Sequence, residues 1–143
     1  MYDGMTRNVL IWLAGLLAVA FALGATLARG ETELQAEARL APKYHAQQEV
    51  RLPGGERVDL LNDIFAFEIE WARPEKRWEA IGQAMFYAKS TDRRPAIILL
   101  VTDPAAQASV VASMWRRCEV LGIELFVETA TAEVPRKTRR GRR

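Results

Sequence analysis

The clearest pattern along the chain is the alternation within residues 64–71. Phe65, Phe67 and Ile69 fall on one side and Ala66, Glu68 and Glu70 on the other, the two-residue period of a strand. Residues 96–101, Ala-Ile-Ile-Leu-Leu-Val, do not alternate at all, and so uniform an apolar run predicts a central strand covered on both faces. Pro53-Gly54-Gly55 separates two shorter strand candidates, 49–52 and 56–60, and predicts a hairpin. Residues 31–40 are rich in Glu, Gln and Ala, with Leu34 and Ala38 at helical spacing, and Pro42 is expected to end that helix. Pro74 opens a helix over 75–89. Asp103-Pro104 caps another over 105–121, Gly122 stops it, and 123–128 is a last strand. The predicted order is α-β-β-β-α-β-α-β: an α/β fold, with a mixed sheet flanked by helices.

Residues 8–28 stand apart. They carry no charge and are mostly Leu, Ala, Val, Ile, Phe and Trp, a hydrophobic helix in front of the sheet. Arg7 before the run, with Thr26 and Ala28 at its end, fits a signal peptide. The run is also long enough to span a bilayer, at roughly 20 residues. Thr26 is a mediocre cleavage residue, which favours an uncleaved anchor. Both alternatives place the domain on the periplasmic side of a bacterial membrane if Arg7 stays inside. A buried core helix is the third alternative, and the absence of a polar stripe speaks against it. The chain thus divides into a signal peptide or transmembrane anchor at 1–29, a domain at 30–134 and a tail at 135–143.

Charge sharpens this division. Six of the 20 basic residues lie in the tail: Arg136, Lys137, Arg139, Arg140, Arg142 and Arg143. The rest of the chain has 14 basic against 18 acidic residues, a balance of −4. A tail without apolar anchors is expected to be disordered, and it suits nucleic-acid phosphates, an anionic membrane surface or no fixed partner. Cys118 is alone, so no intrachain disulfide forms, and it is expected to be a packing residue. His45 is the only histidine and has no companion for a zinc site.

The candidate chemistry lies in the acids. Asp59 is placed at the end of the second hairpin strand, and Glu68 and Glu70 share a face of the next. With strands about 4.8 Å apart and alternate residues roughly 6.6 Å apart, three carboxylates can converge on one hard cation. Mg²⁺ takes oxygen ligands of this kind and polarises a phosphodiester. Glycoside hydrolysis also uses paired carboxylates, but so small a chain shows no sugar cleft.

The runs Arg57-Val58-Asp59-Leu60-Leu61, Ala66-Phe67-Glu68-Ile69-Glu70-Trp71-Ala72 and Lys76-Arg77-Trp78-Glu79-Ala80-Ile81-Gly82-Gln83-Ala84 resemble the PD-(D/E)XK, or restriction-endonuclease-like, nuclease superfamily. In that superfamily an Asp ends one strand and an acid-x-Lys motif sits on the next. Asp59 matches the Asp and Glu68 the acid. Gln83-Ala84-Met85-Phe86-Tyr87 matches the Gln-x-x-x-Tyr helix of its RecB-like branch. An acid on the first helix completes the metal site in some members, matched here by Glu33 or Glu37. The resemblance covers roughly residues 31–101 and implies a Mg²⁺- or Mn²⁺-dependent nuclease acting on DNA, with no small-molecule cofactor. More narrowly, it extends to small bacterial and phage proteins sharing the Glu-x-acid strand and the Trp-Glu-Ala-x-Gly-Gln helix.

One position departs from the motif. Glu70 stands where the superfamily has the lysine that orients water and stabilises charge. A glutamate there serves as a third metal ligand or as a general base. Lys76 is a candidate replacement for the lysine. The alternative is a catalytically inactive, membrane-tethered or exported binding module that keeps the fold. Simpler roles are also expected: Tyr87 packing on the sheet, Trp71 and Trp78 as core or rim residues rather than base-stacking platforms, Glu79 as a solvated helix residue, and the three strand acids as an exposed strand face.

Overall fold

The computed structural model describes residues 30–131. The apolar segment 8–28 and the basic tail lie outside the described residues. Among the described residues no helix is long and apolar enough to cross a membrane. The compact unit beginning at Glu31 holds every element below.

The chain opens with α1 (Glu33–Lys43). Thr32 and Gln35 form a capping box: Gln35 N–H donates to Thr32 Oγ1 at 3.2 Å and Thr32 N–H to Gln35 Oε1 at 2.9 Å. Pro42 lies inside the last turn instead of ending the helix. So near the end it removes one donor, and Tyr44 N–H still reaches the Leu40 carbonyl at 3.0 Å. β1 (Gln47–Arg51) and β2 (Arg57–Leu61) form the expected hairpin. Gly55 at its turn has φ +97°, which glycine adopts without penalty.

β3 (Phe65–Trp71) follows, then a 3₁₀ turn at Pro74–Lys76 and α2 (Arg77–Thr91). α2 therefore starts later than Pro74 suggested, because the proline begins the 3₁₀ turn. β4 (Arg94–Val101) leads to α3 (Ala108–Leu121) and β5 (Glu124–Thr129). Asp103 Oδ1 accepts from Ala105 N–H and Ala106 N–H at 3.1 and 3.0 Å. That caps the turn ahead of α3, so the helix proper begins three residues later than expected.

The sheet order is β1-β2-β3-β4-β5. The first two pairings are antiparallel and the last two parallel, because α2 and α3 are crossovers that return the chain to the same end of the sheet. β4 shows why its sequence does not alternate. Ala96, Ile98 and Leu100 pack under α1 with Phe67, Ile69 and Trp71, while Ile97, Leu99 and Val101 pack under α2 and α3. Tyr44, Phe65, Phe67 and Phe126 extend the α1 side as an aromatic cluster with ring centroids 5.1–6.0 Å apart. Cys118 is fully buried in the α2–α3 core, the packing role expected of it.

Candidate active site

β2 and β3 pair only through Leu60–Phe67 and Leu61–Ala66. Beyond Leu60 the ladder stops, and Asp59 Oδ2 accepts the Ile69 N–H at 2.8 Å. A side-chain carboxylate thus takes the place of a strand carbonyl. β2 runs on to Leu61, so Asp59 is the middle residue of the strand, not its end.

Glu68 and Glu70 project from the same face of β3, as the alternation indicated. Their partners across the parallel ladder, Ile97 and Leu99, belong to the α2–α3 core. Both glutamates are buried, at 5% and 7% exposure, so this is not a solvated strand face. From α1 comes Glu37, 2% exposed. Three buried glutamates thus flank the half-buried Asp59, whose charge acts on both Glu37 and Glu68. Oε2 of Glu37 and Oε2 of Glu68 are buried with no hydrogen-bond partner. Such atoms are costly unless something satisfies them.

Every one of these carboxyls is pushed up in pKa. Burial is the main cause for Glu37, followed by the charge of Asp59, and its carboxyl rises to about 7 while Arg57 opposes. Glu68 rises furthest, through burial and then the charges of Asp59 and Glu70. Asp59 rises through burial, against the pull of the Ile69 N–H and Arg57. Glu70 rises through burial, opposed by the Trp71 N–H that donates to its Oε1 at 2.9 Å. The effect is the one expected when acids share a low-dielectric site. Of the two helix acids that match the motif, Glu37 is the buried one, and Glu33 raises Glu37, Asp59, Glu68 and Glu70 by its charge.

Gln83 and Tyr87 meet on α2, and their side-chain hydrogen bond favours the ionised tyrosine. Burial nevertheless lifts the Tyr87 hydroxyl to about 12, helped by the charges of Glu68 and Asp59. The ring packs on Leu52, Val58 and Ala66, so Tyr87 is a packing residue that also borders the acids. Lys76, at the end of the 3₁₀ turn, donates to Glu79 at 2.5 Å and feels the charge of Glu70 without pairing with it. Glu79 is thus an ion-pair partner and not only a solvated residue. Arg57 was not marked by the sequence reading. It bonds to Glu49 at 2.5 Å and draws down both Asp59 and Glu37. Its place two residues before Asp59 on a strand was the available signal.

In the positions described, no three His, Cys, Asp or Glu side chains among the described residues are gathered tightly enough to hold a metal ion. No family model, curated protein or solved structure matches the chain. A buried group of carboxylates with orphaned oxygens suits either protons or a hard cation.

Proposed function

We propose that the protein is a metal-dependent nuclease that hydrolyses DNA phosphodiester bonds, on a restriction-endonuclease-like PD-(D/E)XK fold. The observation that carries this is an unpartnered buried oxygen on each of Glu37 and Glu68, two carboxyls that both feel the charge of Asp59, the acid that replaces a ladder bond where β2 and β3 part. The arrangement of a three-strand antiparallel meander followed by parallel strands supports the same family.

The donor set fits Mg²⁺ or Mn²⁺, since it is all oxygen and bears charge. Asp59, Glu68 and Glu37 are the residues that would hold the ion, with Glu70 as a further ligand. A bound cation of this kind acts as a Lewis acid on the phosphodiester and acidifies the attacking water. The protein's own groups do the rest. Glu70, if not a ligand, takes a proton as general base. Lys76 supplies positive charge only by leaving Glu79. Gln83 and Tyr87 brace the side of the site that borders Glu68. Residues 8–28 would anchor or export the domain, and DNA outside the cell would then be its substrate.

A second reading is a non-catalytic binding module. It is favoured by Glu70 in the lysine position and by the engagement of Lys76 with Glu79. The two readings separate in a cleavage assay on plasmid and single-stranded DNA with Mg²⁺ or Mn²⁺. Cleavage by the wild type that Asp59→Ala and Glu68→Ala both lose supports the nuclease. An absence of cleavage with either metal on either DNA sinks it.

A further inference from the structure

The first turn of α2 and the middle of α3 meet at one hydroxyl. Arg77 Nη1 donates to Ser113 Oγ at 3.0 Å. Arg117, one helical turn beyond Ser113, donates to the same oxygen and to the Ser113 carbonyl, the latter at 3.0 Å. Ser113 is buried. Two guanidiniums thus converge on a neutral group, and neither has a carboxylate partner among the described residues. Arg39, Arg57 and Arg94 each pair with a glutamate, and Arg93 bonds main-chain carbonyls, whereas Arg77 and Arg117 share a single hydroxyl. Arg77 Nε is buried and has no hydrogen-bond partner.

Like charges held together with donors to spare call for an anion. The planar guanidinium fork matches a phosphate or a carboxylate bidentately, and it is the exposed indole beside it that favours the phosphate of a nucleic acid. Beside Arg77 is Trp78, 65% exposed, with the Arg117 guanidinium over its ring at 5.1 Å. An indole that exposed gains little from packing. An exposed aromatic ring beside cationic side chains is the combination that single-stranded nucleic acids use, a stacked base next to a neutralised backbone. A duplex cannot use it, because its bases are already stacked on one another.

We propose that Arg77, Arg117 and Trp78 form a binding site for single-stranded nucleic acid, in which the two guanidiniums take a backbone phosphate and Trp78 stacks an unpaired base. This site stands whether or not the carboxylates hold a cation. If the nuclease reading holds as well, the site selects substrates with an unpaired segment.

The test is fluorescence anisotropy of a labelled oligothymidylate with the full-length chain in EDTA, at physiological ionic strength. Wild type binds. Arg117→Ala and Trp78→Ala each weaken binding roughly tenfold or more, in line with the loss of one stacked base or one phosphate fork. Arg77→Lys keeps the charge and loses the fork, and it weakens binding less than Arg117→Ala. Arg116→Ala, an exposed neighbour on α3, changes affinity less than about twofold. A duplex binds wild type and Trp78→Ala equally. Failure of the wild type to bind the single strand overturns the site. So does an unchanged Trp78→Ala, or an Arg116→Ala as weak as Arg117→Ala. Because EDTA removes divalent cations, binding here and cleavage with Mg²⁺ fail independently.

Discussion

The carboxylate of Asp59 accepts the main-chain N–H of Ile69 at 2.8 Å, so one acid both closes a gap in the sheet and lines the candidate site. The two roles separate by substitution. Asp59→Asn removes the charge and keeps an oxygen for the amide. Asp59→Ala leaves the N–H of Ile69, a residue 3% exposed, without its acceptor. We expect Asp59→Ala to be less stable than Asp59→Asn by about 1–3 kcal/mol, the cost of an unmet buried donor. Urea denaturation at pH 8 measures the difference. Equal stability of the two variants would mean that the bond holds nothing in place. Both variants are expected to lose cleavage.

Glu68 gives the opposite sign. It is 5% exposed, next to Asp59 and Glu70, and one of its oxygens has no partner. At pH 8 the folded Glu68 holds a proton that the unfolded chain has given up, and a glutamine of the same shape is neutral in both states, so it avoids that cost. Glu68→Gln is expected to be more stable than wild type by about 1–2 kcal/mol at pH 8, and inactive. Loss of stability on this change would show that Glu68 is a structural acid, and the case for a site would lose its main support.

Glu37 sets a pH dependence. Its carboxyl titrates near 4.5 in the unfolded chain and about 7 in the folded one. The folded state therefore binds the extra proton, and stability falls as pH rises between those values. At ~1.4 kcal/mol per pH unit the loss is up to about 3 kcal/mol, complete above pH 7. Denaturation at pH 5 and pH 8 is expected to show this loss in wild type, and Glu37→Gln to show less of it by about 1–3 kcal/mol. A drop of the same size in Glu37→Gln would assign it to other groups.

A divalent cation should act against the same repulsion. Mg²⁺ at pH 8 is expected to raise the melting temperature of wild type in step with the logarithm of its concentration, and to leave Asp59→Ala and Glu68→Ala unmoved. Equal shifts in all three proteins would mean that the ion acts elsewhere.

How much of this was legible follows from what kind of information each feature needs. The element order was readable because Pro53-Gly54-Gly55, Pro74 and Gly122 mark turns by backbone chemistry alone. The alternation from Phe65 to Glu70 also placed both glutamates on one face before any neighbour was known. Their burial was not readable, because it depends on α2 and α3 covering that face. The choice between Glu33 and Glu37 could not be made from a helix drawn alone. In the fold Glu33 raises Asp59 and Asp59 raises Glu37, since α1 lies beside the split strands. Trp71 went into the core as expected, while Trp78 stayed in solvent under Arg117. Nothing local reveals that, because Arg117 lies on another helix.

The two helix ends supply a last prediction, and a matched pair. α2 and α3 both end on a left-handed residue: Asp92 at φ +54° and Gly122 at φ +68°. Gly122 is the residue that conformation favours, whereas Asp92 adopts it against a steric penalty. Nothing lies within 4 Å of a Cβ built on Gly122, so Gly122→Ala tests the backbone term without a clash. We expect it to cost about 1 kcal/mol, and Asp92→Gly to gain about 0.5–1 kcal/mol. Thermal or urea unfolding of the two single variants and the double variant reads both. The ends are on different helices, so the changes should add within about 0.5 kcal/mol. If Asp92→Gly destabilises instead, the aspartate side chain is holding the end of α2 by a bond worth more than its strain.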